Sequence, residues 1–241
     1  MERIVTYNIH GAVGTDRRYD PRRIVRVLRE ISPSIVGLQE VWRYTDHRDD
    51  VISVIHEEFP EAHVLFLKTL TDHRGSYGNA LVTRHEVLDH LDLSLDDAEA
   101  PDRGRTVEAR RAIFARIRLP EGPVWVIVTH LAVEGWARPG QARILLDAID
   151  EHIRVTGEPI VLMGDLNEWR KPNPFLRQLD RTFSRHLPRR TFPSRFPVIP
   201  LDRIWLSHHL NREKTWVHRN RRARRASDHL PLCLECQRSS P

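Results

Sequence analysis

The sequence contains few lysines. Of its 38 basic residues only Lys68, Lys171 and Lys214 are lysines, so its positive charge comes almost entirely from arginine. Arginine stays charged at every physiological pH, and its planar guanidinium can bind a phosphate through two hydrogen bonds. With a net charge of +5 over 241 residues, this composition favours partners that carry phosphate.

The sequence also lacks the features of several protein classes. Its two cysteines, Cys233 and Cys236, do not form the pattern of a disulfide-rich secreted protein, and without a second pair they predict buried thiols rather than a zinc site. No apolar run approaches the roughly 18 to 20 residues of a membrane span, and no secretory signal pattern opens the chain. We therefore expect a cytoplasmic monomer with no integral membrane segment.

No repeat, linker or low-complexity tract divides the chain, so residues 1–241 are predicted to form one domain. Short runs rich in Val, Ile, Leu and Phe alternate with helical patterns, which indicates an α/β or α+β fold. The predicted strands are Arg3–Tyr7, Ser34–Leu38, Ala62–Lys68, Asn79–Thr83, Ala112–Arg118, Val124–Thr129, Pro159–Met163, Arg203–Leu206 and Leu230–Leu234.

Three helices are predicted. One is capped by Asp20 and begins at Pro21, a second lies near Asp49–Glu58, and a third runs from about Arg138 to Val155. The stretch Thr182–Pro200 contains four prolines and is predicted to be an ordered surface loop.

Polar side chains lie at the ends of the predicted strands at six places, after the strand at four of them and before it at two. They are Asn8, Glu40, His130, the pair Asp165 and Asn167, Asp202, and the run Ser227-Asp228-His229. Caps and turns explain any one of these, but six clusters that mix carboxylates, amides and imidazoles indicate a functional site.

These clusters resemble the motifs of the endonuclease/exonuclease/phosphatase superfamily of metal-dependent phosphoester hydrolases, in the same order. The matching segments are Tyr7-Asn8-Ile9, Leu38-Gln39-Glu40-Val41, Gly78-Asn79-Ala80-Leu81, Thr129-His130-Leu131, Gly164-Asp165-Leu166-Asn167, Leu201-Asp202-Arg203-Ile204 and Ser227-Asp228-His229. The opening motifs are most similar to a bacterial subgroup of phosphodiesterases and phosphatases. The resemblance implies a DNase I-like, four-layer α/β sandwich, in which two mixed β-sheets pack face to face with helices outside.

The resemblance also implies a metal site. Glu40 would be the main ligand of Mg²⁺ or Mn²⁺, assisted by Asn8 and Asp228, and such hard oxygen ligands suit Mg²⁺. Asp165 and Asn167 would orient the attacking water and bind the phosphate or a metal.

Two histidines complete the catalytic set. His130 and His229 can donate hydrogen bonds to phosphate, and Asp202 would fix the tautomer of His229 and raise its basicity. Family members differ in whether the equivalent of His229 or of Asp165 is the general base, so both remain candidates.

Three further residues are candidates for binding the substrate phosphate. Arg110 lies in Glu108-Ala109-Arg110, which resembles a family Glu-x-Arg motif whose arginine points at the phosphate, although Arg111 stands where a glycine is usual. His10 replaces the acidic or amide residue of the DNA-repair nucleases, which argues against that activity. Asn79 could help to hold the site or serve as a structural amide.

Two arginine-rich runs each admit more than one interpretation. Arg219–Arg225 is either a solvated loop or an electrostatic funnel for an anionic substrate. Arg189–Phe196 could stack nucleic-acid bases, cover an edge of the core or touch a lipid headgroup.

The leading functional hypothesis is a Mg²⁺- or Mn²⁺-dependent phosphodiesterase or nuclease that acts by attack of water on phosphate. The first alternative is a phosphatase or phosphodiesterase acting on phospholipid headgroups, inositol phosphates or sphingomyelin. The second, from a different class, is a non-catalytic basic module that binds nucleic acid on the same fold.

Overall fold

The computed structural model describes residues 1–46, 48–96, 108–170, 173–183 and 188–239. Within these ranges the strands are β1 (Glu2–Asn8), β2 (Ile35–Tyr44), β3 (His63–Asp72), β4 (Gly75–Thr83), β5 (Val87–Ser94), β6 (Arg111–Leu119), β7 (Gly122–His130), β8 (Ile160–Asp165), β9 (Asp202–Leu206), β10 (Leu210–Val217) and β11 (Leu232–Arg238). The α-helices are α1 (Pro21–Ile31), α2 (Val51–Glu58), α3 (Arg138–Ala148), α4 (Pro174–Thr182) and α5 (Arg221–Ala226).

The strands form two mixed sheets. One has the order β10-β11-β1-β2-β4-β3 and the other the order β5-β6-β7-β8-β9. The parallel pairs are β1 with β2 and β7 with β8. Because the carboxyl ends of parallel neighbours meet at one edge, the last residues of these four strands lie at matching edges of the two sheets.

Alternating side chains on β7 show how the layers pack. Val124, Val126 and Val128 face the other sheet, in a core that also includes α1 and α2. Trp125 and Ile127 face the opposite way, against α3 and α4. Because side chains alternate between the two faces of a strand, this pattern shows that both faces of β7 are buried. The predicted four-layer sandwich is therefore confirmed.

The sheets approach each other closely at Gly37 of β2. A Cβ at this position would lie only 3.0 Å from the Val128 side chain and 3.1 Å from that of Met163, both on the other sheet. Such distances are tighter than ordinary van der Waals contact, so the glycine allows the close packing three residues before Glu40.

The three predicted helices are confirmed, with changes at their ends. The Asp20 carboxylate accepts a hydrogen bond from the backbone N–H of Arg23 and caps α1, which begins at Pro21. The second helix begins at Val51, later than predicted, and is capped by Asp50. The third continues from α3 through helical turns to Thr156.

Four elements were not predicted: the strands β5 and β10 and the helices α4 and α5. Both strands are edge strands, and exposed polar side chains interrupt their apolar pattern. Helix α5 replaces part of the loop expected over Arg219–Arg225. Both helices have asparagine N-caps, Asn173 and Asn220, whose side chains accept backbone hydrogen bonds.

The described part of Thr182–Pro200 is an ordered loop, as predicted, but Thr191 and Ser194 in it are completely buried. Residues 184–187 of that stretch lie outside the described ranges. Both cysteines are buried free thiols. In the portion of the chain that the structure describes, no helix is long and apolar enough to cross a bilayer.

Candidate active site

The predicted site residues come together at one edge of the two sheets. Asn8 ends β1 in one sheet, while His130 and Asp165 end β7 and β8 in the other. His130 is the register partner of Asp165, and Asp165 that of Asp202 at the start of β9. The site therefore spans the junction between the sheets, with contributions from both.

The Asp165 carboxylate lies at the centre of the site. Its Oδ2 accepts a hydrogen bond from Asn8 Nδ2 at 3.0 Å and lies 3.6 Å from His229 Nε2 and 3.8 Å from His130 Nε2. Its Oδ1 accepts the backbone N–H of Asn167 at 2.9 Å. Burial alone would raise the pKa of Asp165, but the charged imidazole of His229 and these hydrogen bonds lower it. The geometry keeps this buried carboxyl group ionised.

Glu40 is directed into the site by an irregularity in β2. The pairing of β2 with β4 shifts register between Leu38 and Val41, and Glu40 has a left-handed backbone with φ of 61°. Its Oε1 accepts a hydrogen bond from Asn8 Nδ2 at 2.8 Å. Asn8 thus joins two carboxylates through its nitrogen, while its oxygen accepts the backbone N–H of His10 at 3.0 Å.

His229 and Asp202 form a buried pair. His229 Nδ1 lies 2.9 Å from Asp202 Oδ2. Burial would lower the pKa of His229, but the carboxylates of Asp202 and Asp165 outweigh it and raise the pKa to about 10. The imidazole is therefore protonated at neutral pH and can donate from Nε2 towards the centre of the site.

The loop before β9 supports this pair. Thr191 Oγ1 donates a hydrogen bond to Asp202 Oδ2 at 2.5 Å, and the ring of Phe192 packs against His229 with 4.8 Å between ring centroids. Neither residue was predicted as part of the site. The arginines and prolines around them drew attention to the loop, but no periodic pattern indicated that it folds back onto Asp202.

His130 has a different environment from His229. Its Nδ1 lies 3.1 Å from Nη1 of Arg110, and its Nε2 lies 3.1 Å from Nδ2 of Asn167. Burial, followed by the positive charge of Arg110, lowers the pKa of His130 to about 3. His130 is therefore neutral across the physiological pH range. Asn167, with φ of 49°, is anchored by a hydrogen bond from Nδ2 to the carbonyl of Leu131.

A buried ion pair supports the loops that follow β7 and β8. Arg138 Nη2 lies 3.0 Å from Glu168 Oε2, and its Nη1 donates to the carbonyl of Ala132 at 3.1 Å. Arg203 Nη2 donates to the carbonyl of Glu168 at 3.0 Å. These contacts fix the backbone directly after His130 and Asn167, so they hold both side chains in place.

The remaining predicted residues lie at the periphery. Asp228 is partly exposed, with Oδ1 3.9 Å from Nδ1 of His10, and the exposed ring of His10 contacts the carbonyl of Val13 through the same nitrogen. Asn79 is buried and donates from Nδ2 to the carbonyl of Arg111 at 3.1 Å, which is the contact of a structural amide.

Two groups among the described residues have the chemistry to hold a metal. Around Glu40, burial and the nearby charges of Asp228 and Asp165 raise the pKa of its carboxyl group, against the hydrogen bond from Asn8. This concentration of negative charge fits a divalent cation. Asp165, Asp202 and His229 also bring one ligand atom each within 4.8 Å, and His229 would bind a metal there only after losing the proton on Nε2.

Much of the Arg219–Arg225 run is engaged in structural contacts. Arg222 pairs with Glu30, Arg224 donates to loop carbonyls that include that of Arg195, and Arg225 Nε donates to Asp16 at 2.9 Å. The exposed guanidiniums of Arg219 and Arg221 lie on the segment that leads into Asp228. The run is thus partly a structural brace for the loops beside the site.

Exposed apolar side chains lie on the loops at the site edge. We call four of them the apolar rim: Val133, Trp169, Phe196 and Val198, which are 61%, 44%, 79% and 59% exposed. Val133 follows β7 and Trp169 follows β8, while Phe196 and Val198 belong to the loop that carries Phe192. Exposed arginines, among them Arg170 and Arg195, alternate with these residues.

Comparison with known proteins identifies relatives of this chain. Residues 5–229 match the model of the Endonuclease/Exonuclease/phosphatase family. The chain is 28% identical over 263 residues to the uncharacterized protein YbhP of Escherichia coli (strain K12), covering 97% of this chain and 95% of that protein. An endonuclease/exonuclease/phosphatase from Bacteroides vulgatus superposes with a TM-score of 0.78 at 20% identity over 99% of each chain. Mannosyl-6-phosphatase Bt3783 of Bacteroides thetaiotaomicron VPI-5482 superposes with a TM-score of 0.76 at 19% identity, over 98% of this chain and 100% of that one.

Proposed function

The chain belongs to the Endonuclease/Exonuclease/phosphatase family, whose members are generally phosphoester hydrolases, and on this premise we propose that it hydrolyses phosphoester bonds with the help of a divalent cation. The observation that carries the proposal is the environment of Asp165, an ionised and buried carboxylate within 3.0 to 3.8 Å of nitrogens of Asn8, His130 and His229. Hydrogen-bond donors gathered around one carboxylate suit a site where water attacks a phosphoester, because such donors can stabilise the charge that develops on the phosphate.

In this proposal Glu40 and Asp228 hold Mg²⁺ or Mn²⁺. Asn8, predicted as a third ligand, instead donates from Nδ2 to the Glu40 carboxylate, since an amide N–H₂ group has no lone pair for a metal and its oxygen accepts from His10. When bound, the cation would neutralise phosphoryl oxygens and make a coordinated water more acidic. The carboxylates of Glu40 and Asp228 are hard oxygen ligands of the kind that Mg²⁺ prefers. Asn8 connects this group to Asp165, because its Nδ2 contacts both Glu40 and Asp165.

The other residues position the reactants. Asp165 and Asn167 orient the attacking water, while His229 and His130 donate hydrogen bonds from Nε2 to phosphoryl oxygens. Asp202 keeps the His229 ring oriented through the 2.9 Å contact at Nδ1. Asp165, which is ionised, is placed to accept the proton of the water, whereas His229 would do so only in its neutral form, above its raised pKa. The pH–rate profiles of Asp165→Asn and His229→Gln distinguish the two candidates for the base.

A phosphodiester is the leading substrate, and nucleic acid is favoured by the net charge of +5. Hydrolysis of plasmid DNA, RNA, a synthetic phosphodiester and a phosphomonoester, each with Mg²⁺ or Mn²⁺ and with chelator, tests this directly. A nuclease should lose activity steeply with salt, because binding a polyanion releases counterions. If the wild type exceeds an Asp165→Ala, His229→Ala double variant on none of the substrates, the proposal is refuted. Nucleic-acid retention by that variant without turnover would then favour a binding module.

A phospholipid headgroup is the second candidate substrate, because the apolar rim favours it. Two of the four rim residues, Val133 and Val198, are aliphatic and have no aromatic face on which a base could stack, whereas a bilayer interface can bury them. The matched control is Val155, which is 78% exposed and precedes β8, at the opposite end of that strand from the site. Phe196→Asp should reduce hydrolysis of sphingomyelin in vesicles at least tenfold while sparing a soluble ester, and Val155→Asp should reduce neither. Equal effects of the two variants would contradict a lipid substrate.

A further inference from the structure

The two histidines of the site have partners of opposite charge on the same ring nitrogen. Nδ1 of His229 faces the Asp202 carboxylate at 2.9 Å, whereas Nδ1 of His130 faces the Arg110 guanidinium at 3.1 Å. We propose that Arg110 is a positioning residue, which fixes His130 as the neutral tautomer with its proton on Nε2, rather than a ligand of the substrate phosphate. Its catalytic consequence rests on the function proposed above, but the tautomer itself does not.

The tautomer follows from the hydrogen-bonding capacity of the partners. A guanidinium has five N–H donors, no acceptor and no accessible neutral form in proteins, so the nitrogen it contacts must supply a lone pair. In a neutral imidazole the other nitrogen then carries the proton. His130 Nδ1 is therefore unprotonated and accepts the hydrogen bond from Arg110, and His130 Nε2 carries the proton and is the donor.

Asn167 on the opposite side does not reverse this assignment. Its Nδ2 lies 3.1 Å from His130 Nε2 and 3.0 Å from the carbonyl of Leu131. An amide can exchange its oxygen and nitrogen by rotation, which would place an acceptor at Nε2, whereas a guanidinium has no acceptor to present. The charge-assisted bond at Nδ1 is also stronger than the neutral bond to Leu131. The fixed donor Arg110 therefore determines where the proton lies.

Arg110 is held in this role from several sides. The residue is only 4% exposed, and its Nη1 also lies 3.2 Å from Oε1 of Glu108. The backbone N–H of Arg110 donates to Asp96, and its carbonyl accepts from Leu95. Its Nε has no partner among the described residues, so a phosphate contact through Nε is the rival role.

The arrangement gives the two histidines different tasks. His229, paired with a carboxylate, carries a positive charge, whereas His130 is a neutral donor on the other side of Asp165. Burial and then the positive charge of Arg110 both disfavour a second imidazolium next to the first. His130 Nε2–H can then donate a hydrogen bond to the Asp165 carboxylate or to a phosphoryl oxygen, and it adds no second positive charge next to that of His229.

The test compares three arginine variants. Arg110→Gln replaces the guanidinium by an amide, which can present either its oxygen or its nitrogen to Nδ1 and so can pair with either tautomer of His130. Arg110→Lys keeps a charged donor at this position. Arg111→Gln removes the same charge one residue away and is the control. Long-range ¹H–¹⁵N correlation spectra, with His130 assigned by the loss of its signals in His130→Gln, report which ring nitrogen carries the proton. We expect Nε2–H in the wild type, Arg110→Lys and Arg111→Gln, and loss of this single tautomer in Arg110→Gln.

Kinetics separate positioning from phosphate binding. For a positioning residue, Arg110→Gln should lower kcat about 10- to 100-fold, the range seen when partners that orient a histidine are removed, with little change in KM or in inhibition by inorganic phosphate. Partial rescue is expected in Arg110→Lys and no change in Arg111→Gln.

A wild-type His130 with its proton on Nδ1, or a rise in KM and in the phosphate inhibition constant at unchanged kcat, would overturn the inference. If Arg110→Gln does not fold, the wild-type spectrum still decides the tautomer. If no variant hydrolyses any ester, the proposed function fails while the spectra still test Arg110.

Discussion

Acidification should destabilise this fold in part through one buried imidazole, that of His130. Burial and Arg110 lower the pKa of His130 to about 3 in the native state, while an unfolded chain titrates histidine near pH 6.5. Between these two values the unfolded state binds a proton that the native state does not. The stability contributed by the neutral ring is therefore fully present above pH 6.5 and is lost as the pH falls towards 3.

The size of the effect follows from the pKa difference. Each pH unit below 6.5 costs about 1.4 kcal/mol, so at pH 5 the penalty from His130 is about 2 kcal/mol. In the native state at pH 5 Asp165 remains ionised and His229 remains protonated, because their pKa values are lowered and raised respectively. His130→Gln removes the titrating ring and keeps a polar amide in its place.

The assay is urea unfolding of the wild type and His130→Gln at pH 7.5 and pH 5. We expect the difference in free energy of unfolding between the two proteins to move by about 2 kcal/mol in favour of the variant at the lower pH. A difference that is the same at both pH values would refute the assignment of His130 as a buried neutral imidazole. It would show instead that this ring accepts a proton as readily in the folded protein as in water.

Three further outcomes are expected. Thr191→Val removes a hydrogen bond to Asp202 and should lower the free energy of unfolding by about 1–3 kcal/mol and kcat about tenfold, whereas Thr191→Ser should preserve both; equal behaviour of the two variants would count against the hydrogen bond. Glu168→Gln removes the negative charge that compensates the buried guanidinium of Arg138 and should cost about 3–5 kcal/mol in urea unfolding. Glu86→Gln, in an exposed pair, should cost less than about 1 kcal/mol. Glu40→Gln should weaken Mn²⁺ binding at least about tenfold by calorimetry, since even residues behind a metal ligand contribute that much; unchanged affinity would place the metal elsewhere.

The central strands could be predicted because burial on both faces makes their sequences continuously apolar. The run Val124–Thr129 is an example, and the structure extends it to His130 as β7. The edge strand β5 could not be predicted in this way, since four of its eight residues in succession are exposed and its pattern is mixed. Helix α4 did carry a sequence pattern, Asn173-Pro174, of the same kind as the start of α1, and the prediction overlooked it.

The site divides along the same line. Residues at strand ends, such as Asn8 and Asp165, could be anticipated from the order of motifs, and the structure brings them within 3.0 Å. The support that Thr191 gives to Asp202 depends on how a loop without periodicity folds back, which no local pattern encodes. The guanidinium of Arg110, predicted to bind the phosphate, contacts His130, because the neighbouring strand β7 ends beside it. The motif around Arg110 does not by itself distinguish these two roles.

The absence of a side chain at Gly37 links the interior of the protein to its chemistry. Half of the site stands on one sheet and half on the other, so the distance from Asn8 to Asp165 is set by how closely the sheets pack. Gly37 is a point of close approach between them, against Val128 and Met163. A methyl group added at Gly37 would press against these two side chains and push the sheets apart. Asn8 and Asp165 would then move apart although neither residue had been changed. In this chain the geometry of the site therefore depends on the spacing of the two sheets in the core as much as on the polar residues themselves.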